Sequence, residues 1–155
     1  SNFKMKPPLR GRADVRAAID GIVSGAIDAI ATDHAPHPGS EKMQEFERCP
    51  FGILGLETAI GLSLEAFVEG GRIPLAKMVE LYTVAPARIL NLERGTLAAG
   101  RPADVTIFDA SLVWKYDVNK SYSKSRNTPF HGREFRGGPV ATMVNGRFVW
   151  RRDKE

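Results

Sequence analysis

The stretch Ile27-Asp28-Ala29-Ile30-Ala31-Thr32-Asp33-His34-Ala35-Pro36-His37-Pro38 decides how the chain is read. Its first half is a short apolar run rich in Ile and Ala, the pattern of a strand buried on both faces. The run ends in a carboxylate and two imidazoles, groups that a core does not absorb unpaired, followed by proline. Parallel strands flanked by helices deliver their chemical groups from their C-terminal ends. Asp33 stands at that end, and His37 is carried further into the loop. Taken alone, the same residues fit a plain loop start, with Asp33 capping a turn and the histidines facing water. Both readings stay open at this point, although Asp and His together suit metal binding and proton transfer.

Immediately upstream, Asp14 caps a predicted helix whose Val15, Ala18, Ile19, Ile22 and Val23 share one face, with Gly25 at its C-terminal end. Helix and strand make one α–β step of a parallel barrel. A strand buried on both faces needs neighbours on each side, and no other stretch reads as one. A complete eightfold barrel takes about 250 residues, whereas this chain has 155. Before the helix, Pro7-Pro8 imposes an extended segment, which alone reads as a linker or edge strand.

Downstream, residues 38–55 hold many charges and few periodic apolar positions, as binding loops do. Gly52 in this loop could present its N–H to a carboxylate or ring amide, or could simply make the turn before the next helix. Cys49 has no neighbours that would make it a nucleophile. Leu56–Glu69 is expected to be one amphipathic helix with Ile60, Leu64, Phe67 and Val68 inward. Pro74 opens another, buried along Leu75, Met78, Val79 and Tyr82, and Pro86 restarts a third. From Ala103 the pattern turns to strands, Val105–Asp109 and Val140–Val144. Asn145-Gly146 then gives a hairpin turn into Phe148–Trp150. Ser123–Gly132 is polar and turn-rich, and His131 reads as a turn or surface histidine.

Hydrophobic content of 43% and a formal charge of +4 describe a globular, mildly basic chain. Acidic and basic residues are interspersed, so no nucleic-acid groove is implied. The basic cluster Arg147–Lys154 reads as a solvated tail. A single cysteine makes no internal disulfide, and the apolar stretch Phe51–Phe67 is broken by Glu57 and Glu65. A cytoplasmic protein with no membrane span is expected.

The string Thr32-Asp33-His34-Ala35-Pro36-His37 resembles the signature of type I dihydroorotases, zinc enzymes of the amidohydrolase superfamily. Further strings resemble the same family in the same order: Pro7-Pro8-Leu9-Arg10, Pro50-Phe51-Gly52-Ile53-Leu54-Gly55-Leu56-Glu57-Thr58, Ala85-Pro86-Ala87-Arg88 and Asn127-Thr128-Pro129-Phe130. The resemblance implies an α/β fold: the C-terminal part of a metal-dependent (β/α)8 barrel in residues 1–94, followed by strands of a small β-sandwich and a tail in 95–155. By the same matching Asp33 is both metal ligand and catalytic acid–base group. His37 binds the substrate's carboxylate, Phe51 and Gly52 contact its ring, and His34 has a supporting role. Lys6 departs from the family, which has a substrate-touching asparagine there.

The activity implied is reversible cyclisation of N-carbamoyl-L-aspartate to L-dihydroorotate in pyrimidine biosynthesis. The cofactor implied is zinc, one or two ions, with a His-x-His pair and further ligands upstream of Ser1. Asp33 alone cannot hold zinc tightly, because catalytic sites take about three protein ligands. The chain is therefore expected to be one piece of a cut or split enzyme, inactive and poorly folded by itself. Its expected partners are the N-terminal part of the enzyme, a further copy in a homo-oligomer, or an aspartate transcarbamoylase complex. The competing readings are a non-catalytic dihydroorotase-like scaffold subunit and another cyclic amidohydrolase, a hydantoinase or allantoinase.

Overall fold

A computed structural model describes residues 1–152. Helix α1 spans Arg12–Ser24 and buries Ile22, while Gly25 closes it through a bond from its N–H to the Ile22 carbonyl. It starts two residues before the expected cap. Gly11 is the N-cap, and Asp14 sits in the first turn, where its charge suits the exposed N–H groups.

The run Ile27–Thr32 leaves α1 as extended chain without a ladder of its own. A parallel strand bonds to neighbouring parallel strands, and the described residues supply no such neighbour. What holds the run is side-chain packing of Ile27 and Ile30 against a core of Ile22, Leu64, Ile73, Met78 and Leu81. One bond from the Ile30 N–H to the Leu81 carbonyl assists. Just past the run, His34 makes a single parallel bridge with Ile53.

Helix α2 (Gly39–Lys42) opens the long loop. The helix expected over Leu56–Glu69 forms later and in two forms, α3 (Ala59–Ser63) and a π-helical turn over Leu64–Glu69. Helices α4 (Leu75–Tyr82) and α5 (Val84–Ile89) follow; α4 starts just after Pro74 as expected, while α5 starts at Val84, two residues before Pro86.

The second half is a three-stranded antiparallel sheet in the order β1 (Val105–Lys115), β2 (Glu134–Val144), β3 (Arg147–Arg151). Asn145 and Gly146 both take positive φ, 48° and 76°, which the two-residue hairpin between β2 and β3 demands. Strand β3 occupies much of the basic cluster expected as a tail; Lys154 lies outside the described residues. A second core of Leu54, Tyr116, Val118 and Phe135 joins the loop to the sheet, with Leu62, Trp114 and Phe130 against it. Arg133, at the foot of β2, clamps Glu65 of the π-helix through two bonds of 2.7 and 2.8 Å from one guanidinium nitrogen. The helices and the sheet therefore share packing around the loop.

Candidate functional site

Asp33 lies just before the bridge, on backbone turned to φ 46°. Its side chain is exposed, and among the described residues it makes no hydrogen bond or ion pair. Such a carboxylate keeps both oxygens for a ligand or a proton. No cluster of three or more metal-ligating side chains occurs among the described residues, so Asp33 fits a metal as one donor of a larger set.

His34 turns the other way. Its Nδ1 accepts the N–H groups of Gly55 at 3.1 Å and Leu56 at 3.4 Å. With the Ala35 N–H on the Ile53 carbonyl at 2.9 Å, this stitches the two segments side by side. An acceptor at Nδ1 places the neutral ring's proton on Nε2. The ring aligns backbone.

His37 is brought back over the loop. Its Nδ1 meets Glu41 Oε2 at 3.2 Å, the i,i+4 neighbour on α2, and its backbone N–H donates to Asn127 Oδ1 at 3.2 Å. With Nδ1 engaged, Nε2 faces Gly52. A Cβ built on Gly52 would stand 3.3 Å from that nitrogen and only 2.5 Å from the Ala35 Cβ, at a φ of 123° that side chains rarely adopt. Glycine is needed here for the close approach.

The Gly52 N–H is not free for a ligand. It donates to the Lys4 carbonyl at 2.9 Å. Its carbonyl accepts from Lys42 Nζ and Asn127 Nδ2, each at 3.1 Å. The expectation of an offered N–H is therefore corrected: loop packing uses both polar groups, and what remains is an open face beside His37. Phe51 supplies the next part of that face, 50% exposed. Lys4 and Lys6 hold their ammonium groups 4.7 and 5.9 Å from its ring centroid.

Asn127 is the residue that reading by pattern passed over. It is buried, and besides His37 and Gly52 it donates to the Ala35 carbonyl at 2.8 Å. The sequence marks it as the first residue of the Asn127-Thr128-Pro129-Phe130 string within a turn-rich polar stretch, without showing what its amide meets. His131, as expected, is exposed; its Nδ1 accepts from the Val118 N–H at 3.2 Å, and Asp117 lies beside it. Cys49 is buried, with its thiol toward the Phe46 carbonyl.

The structure thus brings His37 Nε2 over the bare face of Gly52, with Phe51 next in the chain and the Lys4 and Lys6 ammonium groups beside its ring. Asp33 stands at the end of the extended run that leads to it. Such a face suits an anionic, ring-shaped ligand.

Comparison with known proteins shows the family to which the chain belongs. A model of the amidohydrolase family matches residues 5–149. A dihydroorotase of Solibacter usitatus is 60% identical over 98% of this chain, and one of Bacillus cytotoxicus is 49% identical over 98%. The chain spans about a third of the length of these relatives, 35% and 36% respectively. Among solved structures, an L-hydantoinase from Arthrobacter aurescens superposes with a TM-score of 0.88 at 31% identity, covering 97% of this chain and 35% of that one. A D-hydantoinase from Thermus sp. gives 0.87 at 27% identity, over 97% of this chain and 34% of the other. The family and these structures imply part of a (β/α)8 barrel, and with it a metal cofactor.

Proposed function

The chain belongs to the amidohydrolase family, and we propose that it is the C-terminal portion of a dihydroorotase, interconverting N-carbamoyl-L-aspartate and L-dihydroorotate. The observation that carries this reading is His37 Nε2 set over the bare face of Gly52, with Lys4 and Lys6 on the neighbouring Phe51 ring and an Asp33 carboxylate, four residues before His37, that has no partner among the described residues. Identity supports it as well: relatives named dihydroorotase reach 60%, against 31% for the hydantoinase structures. Residues 1–94 correspond in this reading to the end of the barrel and residues 95–155 to the adjoining β-sandwich. Assembly into a homo-oligomer or with aspartate transcarbamoylase, and work in the cytoplasm, go with the same proposal.

Zinc is the metal proposed, with Asp33 as one ligand and the others outside this chain. The chemistry it supplies when bound is to bring the pKa of water down to roughly 7 and to polarise an amide carbonyl. Asp33 accepts the proton of the attacking water at its carboxylate and returns it to the ring nitrogen as the amide bond breaks. His37, its Nδ1 toward Glu41, presents Nε2 to the substrate carboxylate. Phe51 lies against the ring, and the bare face of Gly52 lets the ring come close.

The test is to join this chain to the upstream two-thirds of the Solibacter usitatus relative, load zinc, and assay L-dihydroorotate beside hydantoin. Turnover of L-dihydroorotate alone is expected, with Asp33→Ala lowering the rate by about a thousandfold or more. Preferential turnover of hydantoin would favour the hydantoinase reading, and a folded, inactive assembly the scaffold reading.

A further inference from the structure

Two lysines are buried around the candidate site, and neither meets a carboxylate. Lys42 is 4% exposed, and its ammonium donates to the carbonyls of Pro50 at 2.8 Å and Gly52 at 3.1 Å. Lys4 is 8% exposed, and its ammonium donates to the carbonyls of Phe46 at 2.6 Å and Glu47 at 2.9 Å. Among the described residues no ion pair reaches either one. Of the nearby acids, Glu41 faces His37 and Glu45 faces Arg48, while Glu47 offers Lys4 its backbone carbonyl and no carboxylate contact among the described residues.

A desolvated cation held only by carbonyl dipoles is an expensive way to pin a loop. A neutral amide would donate to the same carbonyls, as Asn127 does to Gly52. What the lysines add is charge in a region of low dielectric, where its reach is long. Both ammonium groups lie against the segment that carries Phe51 and Gly52, on which His37 Nε2 also converges.

We propose that Lys4 and Lys42 determine substrate specificity, their buried ammonium groups biasing the Phe51–Gly52 face toward ring amides that bear a carboxylate and against uncharged rings of the same shape. This deepens the dihydroorotase reading and rests on it. Neither lysine enters the reaction. Each sets the potential of the face and the direction of the carbonyls beneath it.

The experiment uses the zinc-loaded assembly described above, as wild type, Lys42→Gln, Lys42→Met and Lys4→Gln. Glutamine keeps a donor for the carbonyls and loses the charge; methionine loses both. KM for L-dihydroorotate is measured over a range of NaCl concentrations. The inhibition constant of 5,6-dihydrouracil, the same ring without its carboxylate, is measured beside it. Both glutamine variants are expected to raise KM roughly tenfold and to flatten its rise with salt. Dihydrouracil should move less than about twofold, since an uncharged ring gains little from a nearby charge. The salt response is read on the substrate itself, so weak dihydrouracil binding leaves the test intact. Glutamine variants that behave as wild type would reduce the lysines to loop fasteners and overturn the proposal, as would equal weakening of both compounds. A wild-type assembly that turns over neither compound would sink the dihydroorotase reading first, and this inference with it.

Discussion

Asn127 joins three backbone segments through one side chain. It accepts from the His37 N–H and donates to the carbonyls of Ala35 and Gly52. Replacing it with alanine leaves the His37 N–H and the Ala35 carbonyl without these partners, while Gly52 keeps Lys42, a loss of about 2–3 kcal/mol. Asn127→Ala in the assembled enzyme is therefore expected to lower Tm by several degrees and to raise KM as His37 loses its anchor. Thermal melts and steady-state kinetics on one preparation would check both; an unchanged KM would mean that His37 is held by Glu41 alone. Asp33 and His37 stand out in the sequence because their residue types suit metal binding and proton transfer. Asn127 does not, because its importance lies in whom it meets, across some ninety positions. The two readings of the Gly52 N–H stayed open in the sequence for the same reason: its partner, the Lys4 carbonyl, is distant in sequence.

Between elements, helix α4 is fastened to α3 through Tyr82. Its hydroxyl shares a hydrogen bond of 2.8 Å with Ser63 and reaches the Ala59 carbonyl at 3.4 Å. Burial pushes the Tyr82 pKa up, and the bond to Ser63 pulls it partly back. A group whose folded pKa is raised contributes stability that is fully present below its unfolded value, about 10, and is lost as pH rises through the folded pKa. Tyr82→Phe is expected to cost about 1 kcal/mol at neutral pH, where Ser63 loses its partner. It should also weaken the decline in stability above pH 10. Urea midpoints at pH 8 and pH 11 would show a smaller drop for the variant than for the parent. Periodicity located most of these helices, but not every boundary. Strand β1 runs six residues past the expected Val105–Asp109. Alternation fails there because Asp109 folds back to accept the N–H and hydroxyl of Ser111, at a break in register between Asp109 and Val113.

For the molecule as a whole, the telling feature is what stays uncovered. Val15 and Val23 on α1 are 51% and 54% exposed, and Val113, Phe148 and Val149 on the sheet are 61%, 47% and 61% exposed. Apolar side chains left open in this way mark contact surfaces. They agree with a chain that spans a third of its relatives. The chain alone is therefore expected to bind a hydrophobic dye and to melt broadly, and joining the upstream portion should abolish dye binding and sharpen the melt. A sharp, dye-free melt of the chain alone would contradict this. The sequence showed one doubly apolar run, and among the described residues it has no parallel strand beside it, while the shared packing of loop and sheet emerged only in three dimensions. That sharing bears on the order of events during translation. A ribosome releases its product from the N-terminus onward, so Asp33 and His37 emerge long before Asn127 arrives to hold them. A nascent chain interrupted before that asparagine would carry Asp33 and His37 and lack the side chain that ties the His37 backbone to Ala35 and Gly52, so the loop is set only once Asn127 has been made.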